Sequence, residues 1–460
     1  MTQEPYPTPE LGQAALEELR SHLRGQLIRP GDPTYDAARK IWNGMIDRFP
    51  SLIVRCADAA DVAQAVQFAQ SNGQRVAVRG GGHSAAGLAI CDGGMVIDLS
   101  QMKKIEIDPV ARTARAQPGL TLGELIGATE AQGLVTPVGT VSGTGIAGLT
   151  LGGGMGWLMG KYGLTLDNLL SVEIVTADGQ MLHASTTEHP DLFWAIRGGG
   201  GNFGIVTSFE YQLHRVGTLL GGMVIHPATR AREVLRFYRQ YSAAAPDELT
   251  AYAVFATTPD GHPAVIIAVG CCAPLDEAEK LVAPLRQFGP PLVDLIRPMS
   301  YLELISMIDA AAPDGWSYYE KASAVTDLTD EAIEVFADVA TAPSSPLSQV
   351  LVQHVHGAAT RVGVSDTAVY GLRTAHYETS IVSAWTEGPA ETHIRWARDF
   401  AKALEPFSTP AVYVNTMADE GSERVRAVYG PNYHRLAELK RTYDPTNFLR
   451  LNQNIVPAQS

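Results

Sequence analysis

The chain has 460 residues and a formal net charge of −14, from 35 basic and 49 acidic side chains. That length holds two or three domains' worth of core, and the acidic balance argues against nucleic acid or an anionic membrane as the main partner. Four cysteines, Cys56, Cys91, Cys271 and Cys272, have neither disulfide-framework nor metal-ligand spacing, so no metal site is expected.

Met1 to Pro9 is polar and carries several prolines, unlike a secretory leader, and no apolar run reaches spanning length. A cytoplasmic protein is therefore expected. Asp58 to Gly73 reads as an amphipathic helix, capped by Asp58, striped by Val62, Val66 and Ala69, and ended by Gly73. The alternating Arg75-Val76-Ala77-Val78 then predicts a half-buried strand entering Arg79-Gly80-Gly81-Gly82-His83-Ser84. Glycines let a backbone approach a ligand and aim successive N–H groups at an anion, as in phosphate cradles. A histidine at the end of such a cradle stands beside whatever carries the phosphate. Met95–Leu99, Ile105–Ile107 and Thr113–Ala116 read as short strands, and Thr121 with Glu124 fits a capping box opening a helix that closes near Gly133.

A glycine-dense run, Gly139–Gly163, precedes the strand Ser171–Thr176. Pro190 starts a helix through Ile196, and Gly198–Gly204 leads into the strand Ile205–Leu213. Strands and helices mix without strict alternation, so the fold class is α+β rather than a doubly wound sheet. Beyond Gly217 the texture changes. Helical segments (Thr229–Tyr241, Leu275–Phe288, Asp330–Ala340, Ala390–Leu404) separate runs that read as antiparallel strands: Tyr252–Ala256, Ala264–Gly270, Val350–His356, Ala368–Leu372 and Thr379–Trp385. Pro259-Asp260-Gly261 marks a hairpin. This half is expected to be a second domain, an antiparallel sheet covered by helices.

Two places match G-x-G-x-x-G, Gly143/Gly145/Gly148 and Gly199/Gly201/Gly204. A dinucleotide site of that kind needs a strand before the glycines, a helix immediately after and an acidic residue ending the next strand. After Gly148, Leu149-Thr150-Leu151-Gly152-Gly153-Gly154 is too glycine-rich to predict a stable helix, and after Gly204 comes a strand. What survives is the spacing: three separate glycine clusters, near residues 80, 145 and 200. One elongated, phosphate-bearing cofactor crossing all three explains them better than three unrelated turns.

Four blocks in order resemble the FAD-linked oxidases of the vanillyl-alcohol oxidase superfamily, in the berberine-bridge-enzyme-like branch. They are Arg79–Ser84 with Asp98-Leu99-Ser100; Gly148–Gly154 through Lys161-Tyr162-Gly163-Leu164 to Asp167-Asn168; Asp191–Gly198 through Gly204; and Tyr443-Asp444-Pro445 with Asn447, Asn452 and Asn454. The resemblance implies a PCMH-type FAD-binding domain at 46–217, preceded by a segment, 1–45, packing on it. It also implies a substrate-binding domain at 218–410 and a berberine-bridge-like segment, 411–460, returning to the FAD domain. FAD would lie on Arg79, Gly80, Gly81, Gly82, His83 and Ser84, on Gly139, Thr140, Gly143, Gly145 and Gly148, on Gly204 and Val206, and near Asn452 and Asn454, which read as alternating on a terminal strand. By motif match His83 bonds covalently to the flavin. The position where many relatives carry a second, cysteinyl link is Val141, so a single link is expected.

The same resemblance implies an oxidase that moves a hydride from a carbon bearing oxygen or nitrogen to flavin N5, with dioxygen reduced to hydrogen peroxide. The substrate would be a small or medium-sized metabolite, and the protein a monomer or homodimer. A dehydrogenase using another acceptor and a flavin-bearing binding protein without turnover are the competing readings. The proton acceptor is the weak point of the match: relatives carry a tyrosine where this chain has Thr416, in Tyr413-Val414-Asn415-Thr416. Candidates for that role are His354, His356, Tyr370 and Tyr377, with Tyr413 as a further pocket residue. His354 and His356 alternate with Gln353 and Val355 and so should share one face. They serve as base or anchor if that face points at the flavin, and are structural or solvent-facing otherwise.

Overall fold

The computed structural model describes residues 11–459, so Met1–Pro9 lies outside the described residues. Parallel pairing starts the fold. Strands β1 (Gln26–Ile28), β2 (Leu52–Arg55), β3 (Val76–Arg79) and β4 (Met95–Asp98) form a sheet in the order β1-β2-β4-β3, with β2 and β3 both parallel to β4. Leu52, Ile53 and Val54 are fully buried, as strands covered on both faces must be. The crossover helix Ala59–Ser71 forms as its sequence predicts. Asp58 accepts hydrogen bonds from the N–H groups of Ala60 and Asp61, while Val62, Val66 and Ala69 are buried. The capping box at Thr121 and Glu124 is also present, opening the helix Leu122–Glu130.

A second sheet combines β5 (Ile105–Asp108), β6 (Thr113–Ala116), β7 (Leu169–Val175), β8 (Met181–Ser185) and β9 (Ile205–Gln212) in the antiparallel order β5-β6-β9-β7-β8. The third and largest is antiparallel. It contains β10 (Leu219–Pro227), β11 (Leu249–Thr257), β12 (Pro263–Cys271), β13 (Val293–Asp294), β14 (Arg297–Met299), β15 (Ser317–Val325), β16 (Gln349–Val355), β17 (His376–Trp385) and β18 (Ser408–Thr409). Its order is β13-β10-β12-β11-β16-β17-β15-β18, with β14 also on β10. The class is α+β, as the mixed pattern predicts.

The two faces of the large sheet have different jobs. One face packs under the helices Ala231–Ala243, Leu275–Gln287, Asp330–Val339 and Ala390–Leu404, around Val350, Val352, Ile381 and Phe400. The other lies on the first domain, where Tyr252, Ala322, Ala324 and Val355 share a core with Trp157, Leu151 and Tyr413. The period of two along each strand assigns every residue to one face or the other.

Three expectations fail. Ile146–Gly152 is a helix despite its glycines, because burial of Ile146, Thr150 and Leu151 overrides weak propensity. Ala368–Leu372 is not a strand; its end is a tight turn of 3-10 helix, Gly371–Arg373, and buried Arg373 is clamped by Asp167 at 2.7 and 2.9 Å. The terminal segment carrying Asn452 and Asn454 is irregular rather than a strand and follows the helix Tyr433–Tyr443. Buried Lys440 fixes this tail to the first domain, donating to Asp444 and to the carbonyls of Asn202 and Leu449.

The N-terminal segment does more than pack on the first domain. Its residues Trp42 to Gly44 clasp the large sheet. Asn43 bonds the backbone of Tyr318 in both directions, Gly44 N–H donates to Trp316 at 2.7 Å, and Gly315 N–H donates back to Trp42 at 2.9 Å.

Candidate functional site

Between the first domain and the inner face of the large sheet lies a cavity of about 450 Å³. Its floor is backbone from three glycine clusters, Gly80–Gly82, Gly145 with Gly148, and Gly198–Gly201. Its roof is Tyr318 and Glu320 from β15, Gln349, Leu351 and Gln353 from β16, and Ser380 and Val382 from β17. Tyr413 to Thr416 and Asn452 close one side.

The first glycine loop is held from below. Register places Arg79 and Arg55 on either side of Asp98. Asp98, fully buried, receives Arg79 Nη2 at 2.6 Å and Arg55 Nε at 2.9 Å. Burial alone pushes this carboxyl up, but the two guanidinium partners outweigh it and hold the carboxyl below its usual range. Arg79 also donates to the carbonyls of Ala38 and Lys40. Arg79 therefore anchors the loop and, although expected at a cofactor, is not among the described residues that line the cavity. Above it, the loop packs backbone to backbone: a Cβ on Gly81 would lie 2.5 Å from the Gly145 Cα, and one on Gly145 would lie 2.5 Å from Gly81 N. Gly82 has φ +72°, turning the chain so that the N–H groups from Gly81 to Ser84 find no acceptor among the described residues. Successive free N–H groups in such a turn form an anion-binding concavity.

His83 ends this loop. Its ring stacks on Trp42 at 4.2 Å, and the opposite face of Trp42 stacks on Tyr318 at 3.8 Å. His83 lines the cavity. Burial lowers its pKa to about 4, against weak upward pulls from the backbone and Asp309, so the ring is neutral at physiological pH. Asp309 itself ties the second glycine loop to the roof, accepting from Ser142 N at 2.8 Å.

Of the other residues expected at a cofactor, Ser84, Gly139, Thr140, Gly145, Gly148, Gly204, Val206 and Asn452 line the cavity, whereas Gly143 and Asn454 do not. Val141 lines it as well; none of the four cysteines does.

The expected proton acceptors are placed elsewhere. On β16 the cavity face is Gln349, Leu351 and Gln353, which turns His354 to the helix side. There His354 stacks on Tyr377 at 5.0 Å and on His356 at 5.3 Å, so the two histidines do sit side by side, but away from the cavity. Burial lowers both, His354 to about 4. Tyr377 is buried among the same helices, its hydroxyl 3.3 Å from Ser242. Tyr370 lies in a separate small cleft beside Gly371 and Val412.

Only Tyr413 of that set reaches the cavity. Its hydroxyl accepts from Gly154 N at 2.9 Å and Asn415 Nδ2 at 2.8 Å, while burial raises its pKa, so it braces the wall and is no base near neutrality. Thr416 donates to the Tyr413 carbonyl.

The sequence reading missed β15 and with it Glu320, a carboxyl facing the cavity whose pKa burial raises to about 7. A signal was available. Ser317–Val325 follows the turn Asp314-Gly315 and alternates Tyr318, Glu320, Ala322, Ala324, but the central Glu-Lys pair disguised a strand.

The cavity fits FAD in its own chemistry. Free N–H groups at the His83 loop suit a pyrophosphate, bare glycine backbone at three points suits an extended ligand, and Asn452 has a buried Oδ1 with no partner. An FAD binding domain profile matches residues 50–185, and a profile described as berberine and berberine like matches 412–456. The (R)-6-hydroxynicotine oxidase of Paenarthrobacter nicotinovorans is 33% identical over 95% of this chain and 98% of its own. A crystal structure of 6-hydroxy-D-nicotine oxidase from Arthrobacter nicotinovorans superposes with a TM-score of 0.86 at 31% identity, covering 95% and 98% of the two chains. Physcomitrella patens BBE-like 1 shares the fold, with a TM-score of 0.88 at 23% identity over 97% and 99%.

Proposed function

The chain belongs to the berberine-bridge-like branch of the FAD-linked oxidoreductases, and from that premise we propose that it is an oxidase of a small metabolite, acting at a carbon that bears oxygen or nitrogen. FAD bound in the cavity would supply the hydride acceptor and the route by which the electron pair reaches dioxygen, with hydrogen peroxide as the product. The loops at Gly81–Ser84 and Gly145 hold the pyrophosphate, and Asn452 offers its carbonyl oxygen to the cofactor. His83 is the covalent anchor. Its neutral ring keeps a lone pair available for bond formation, and stacking on Trp42 fixes its direction. Since Val141 stands where relatives carry a cysteine, the link is single. The roof of Leu351, Val382 and Tyr318 excludes water and stacks the substrate over the cofactor, so that proximity contributes much of the rate.

The observation that carries this reading is the neutral, stacked His83 at the junction of an anion cradle and a roofed cavity. The name of the 33%-identical relative, an oxidase of 6-hydroxynicotine, supports an oxidase acting on an alcohol or amine. Acid precipitation of the purified protein should leave a yellow pellet, and digestion should give a flavin-bearing peptide containing His83. Alcohols and amines that bleach the flavin anaerobically should yield peroxide in air. A colourless pellet refutes the covalent link, and flavin that stays reduced under air refutes the oxidase.

A further inference from the structure

Several polar groups lining the cavity roof and wall are held by partners. Tyr318 donates to the Pro313 carbonyl at 2.7 Å, Gln349 to the Ala311 carbonyl at 2.9 Å, and Tyr429 to the Gly198 carbonyl at 3.2 Å. Tyr413 and Thr416 are engaged as described. On β17 the buried carboxylate of Glu378 is saturated by Tyr413 N–H at 3.0 Å and His376 Nε2 at 3.0 Å. Glu320 stands apart. It faces the cavity from β15, in register with Val382 and, one strand further, Gln349. No described residue donates a hydrogen bond to it or pairs with it; Gln353 and Ser380 on the same roof also have no side-chain partner among the described residues, and of these three Glu320 alone is ionisable. Among the described residues, neither lysine nor arginine lines the cavity.

We propose that Glu320 receives the proton of the substrate's O–H or N–H group, and that the roof around it selects uncharged or cationic hydrogen-bond donors over anions. This rests on the oxidase reading above. The step balances simply. The C–H bond breaks with its electron pair leaving as hydride to FAD, the O–H or N–H proton passes to the Glu320 carboxylate, and C=O or C=N forms. A carboxylate or phosphate substrate would meet this carboxylate with no counter-charge.

The groups facing Glu320 do not compete for that proton. On its own strand Tyr318 has its pKa raised by burial and by the carboxylates of Asp314 and Glu320. Lys321, the next residue, is paired with Glu420 at 2.5 Å. Across β17 and β16 lie the neutral Val382, Ser380, Gln349 and Gln353; across the cavity lie neutral His83 and Tyr413. Burial without a counter-charge sets Glu320 near neutrality, where an acceptor can take a proton and later release it.

The test uses flavin-loaded protein and the perturbation of flavin absorbance by benzamidine, benzyl alcohol and benzoate between about pH 5.5 and about pH 8.5, a range in which Glu320 is the one described cavity-lining side chain expected to change charge. Benzamidine stays cationic and benzoate anionic throughout. Benzamidine should bind about tenfold tighter or more at the alkaline end, with an inflection near 7. Benzoate should show the reverse, and benzyl alcohol little change. Glu320→Gln should flatten both charged profiles, and Glu320→Asp should keep an inflection. Any alcohol or amine that reduces the flavin should do so with the same inflection, lost in Glu320→Gln. Unchanged profiles in Glu320→Gln, or benzoate tighter than benzamidine at the alkaline end, would overturn the proposal. Protein that carries no flavin defeats the oxidase reading instead, while flavin-loaded protein with flat profiles defeats only the role of Glu320.

Discussion

Gly81→Ala is the sharpest perturbation of the cradle. Its Cβ would sit 2.5 Å from the Gly145 Cα and 2.6 Å from the Gly145 N, about 0.9 Å short of ordinary contact at 3.4 Å. Both obstructing atoms are backbone, so no rotamer relieves the clash and the two glycine loops must part. Overpacking of this kind costs about 1–3 kcal/mol, which is about five- to 150-fold in the population of the native cradle. The separation falls at the four N–H groups proposed to hold the pyrophosphate, so flavin retention should suffer more than global stability. Gly143→Ala is the matched control, since a Cβ there meets nothing within 4 Å and the residue does not line the cavity. Its cost should stay within about 0.5 kcal/mol. The assay is the ratio of flavin to protein absorbance after purification, alongside a denaturant midpoint. Gly81→Ala should lose most of its flavin and Gly143→Ala none. Wild-type flavin content and midpoint in Gly81→Ala, or equal losses in both variants, would refute the backbone-contact argument.

Asp98→Asn should destabilise by about 3–5 kcal/mol in urea, because it strands a buried Arg79 charge. The Asp98 carboxyl is held below its reference value of 3.8, so the stability it adds is present above that value and lost as pH falls through the lower folded value. Acid unfolding followed by fluorescence should therefore be shallower in Asp98→Asn. His83→Ala should keep the fold and release its flavin on acid precipitation. Because the imidazole is neutral above about pH 4, flavin attachment to apoprotein should proceed equally at mildly acidic and mildly alkaline pH, read as in-gel fluorescence. A rate that falls below about pH 6.5, the value of a free imidazole, would contradict that. Tyr413→Phe leaves Gly154 N–H and Asn415 without their acceptor and should cost about 1–3 kcal/mol while leaving the pH dependence of flavin reduction unchanged.

Local chemistry made much of the first domain legible. Asp58 and the Val62/Val66/Ala69 stripe announced a helix, Thr121 with Glu124 announced a cap, and the run Arg79–Ser84 announced a loop that lines the cavity. These signals are carried by residues near one another in sequence. The roof was harder because periodicity says which residues share a face and not where the face points. His354 and His356 do share one, yet the cavity face of β16 belongs to Gln349, Leu351 and Gln353. Direction is set by packing against helices remote in sequence from β16, such as Ala231–Ala243, whose Tyr238 bonds the Val352 carbonyl 114 residues on. Glu320 was hidden for a related reason: a lone carboxyl in a strand is ordinary until a cavity forms in front of it. Arg79 shows the converse, a motif residue whose partner Asp98 lies in the next strand and whose work is structural.

The stack of His83, Trp42 and Tyr318 also sets an order of events during synthesis. Trp42 fixes the histidine ring, yet its own indole N–H bonds to the Ala312 carbonyl, 270 residues further along the chain. Asn43 waits in the same way for Tyr318, 275 residues on. The shelf behind the histidine is thus unfinished when the glycine loop leaves the ribosome, and it closes only after the fifteenth strand has been made and seated. On the proposed covalent link, attachment at that histidine would become a maturation checkpoint: nascent or half-folded chains, with a loosely held imidazole, should remain colourless, and the yellow species should be the one whose two domains have already met.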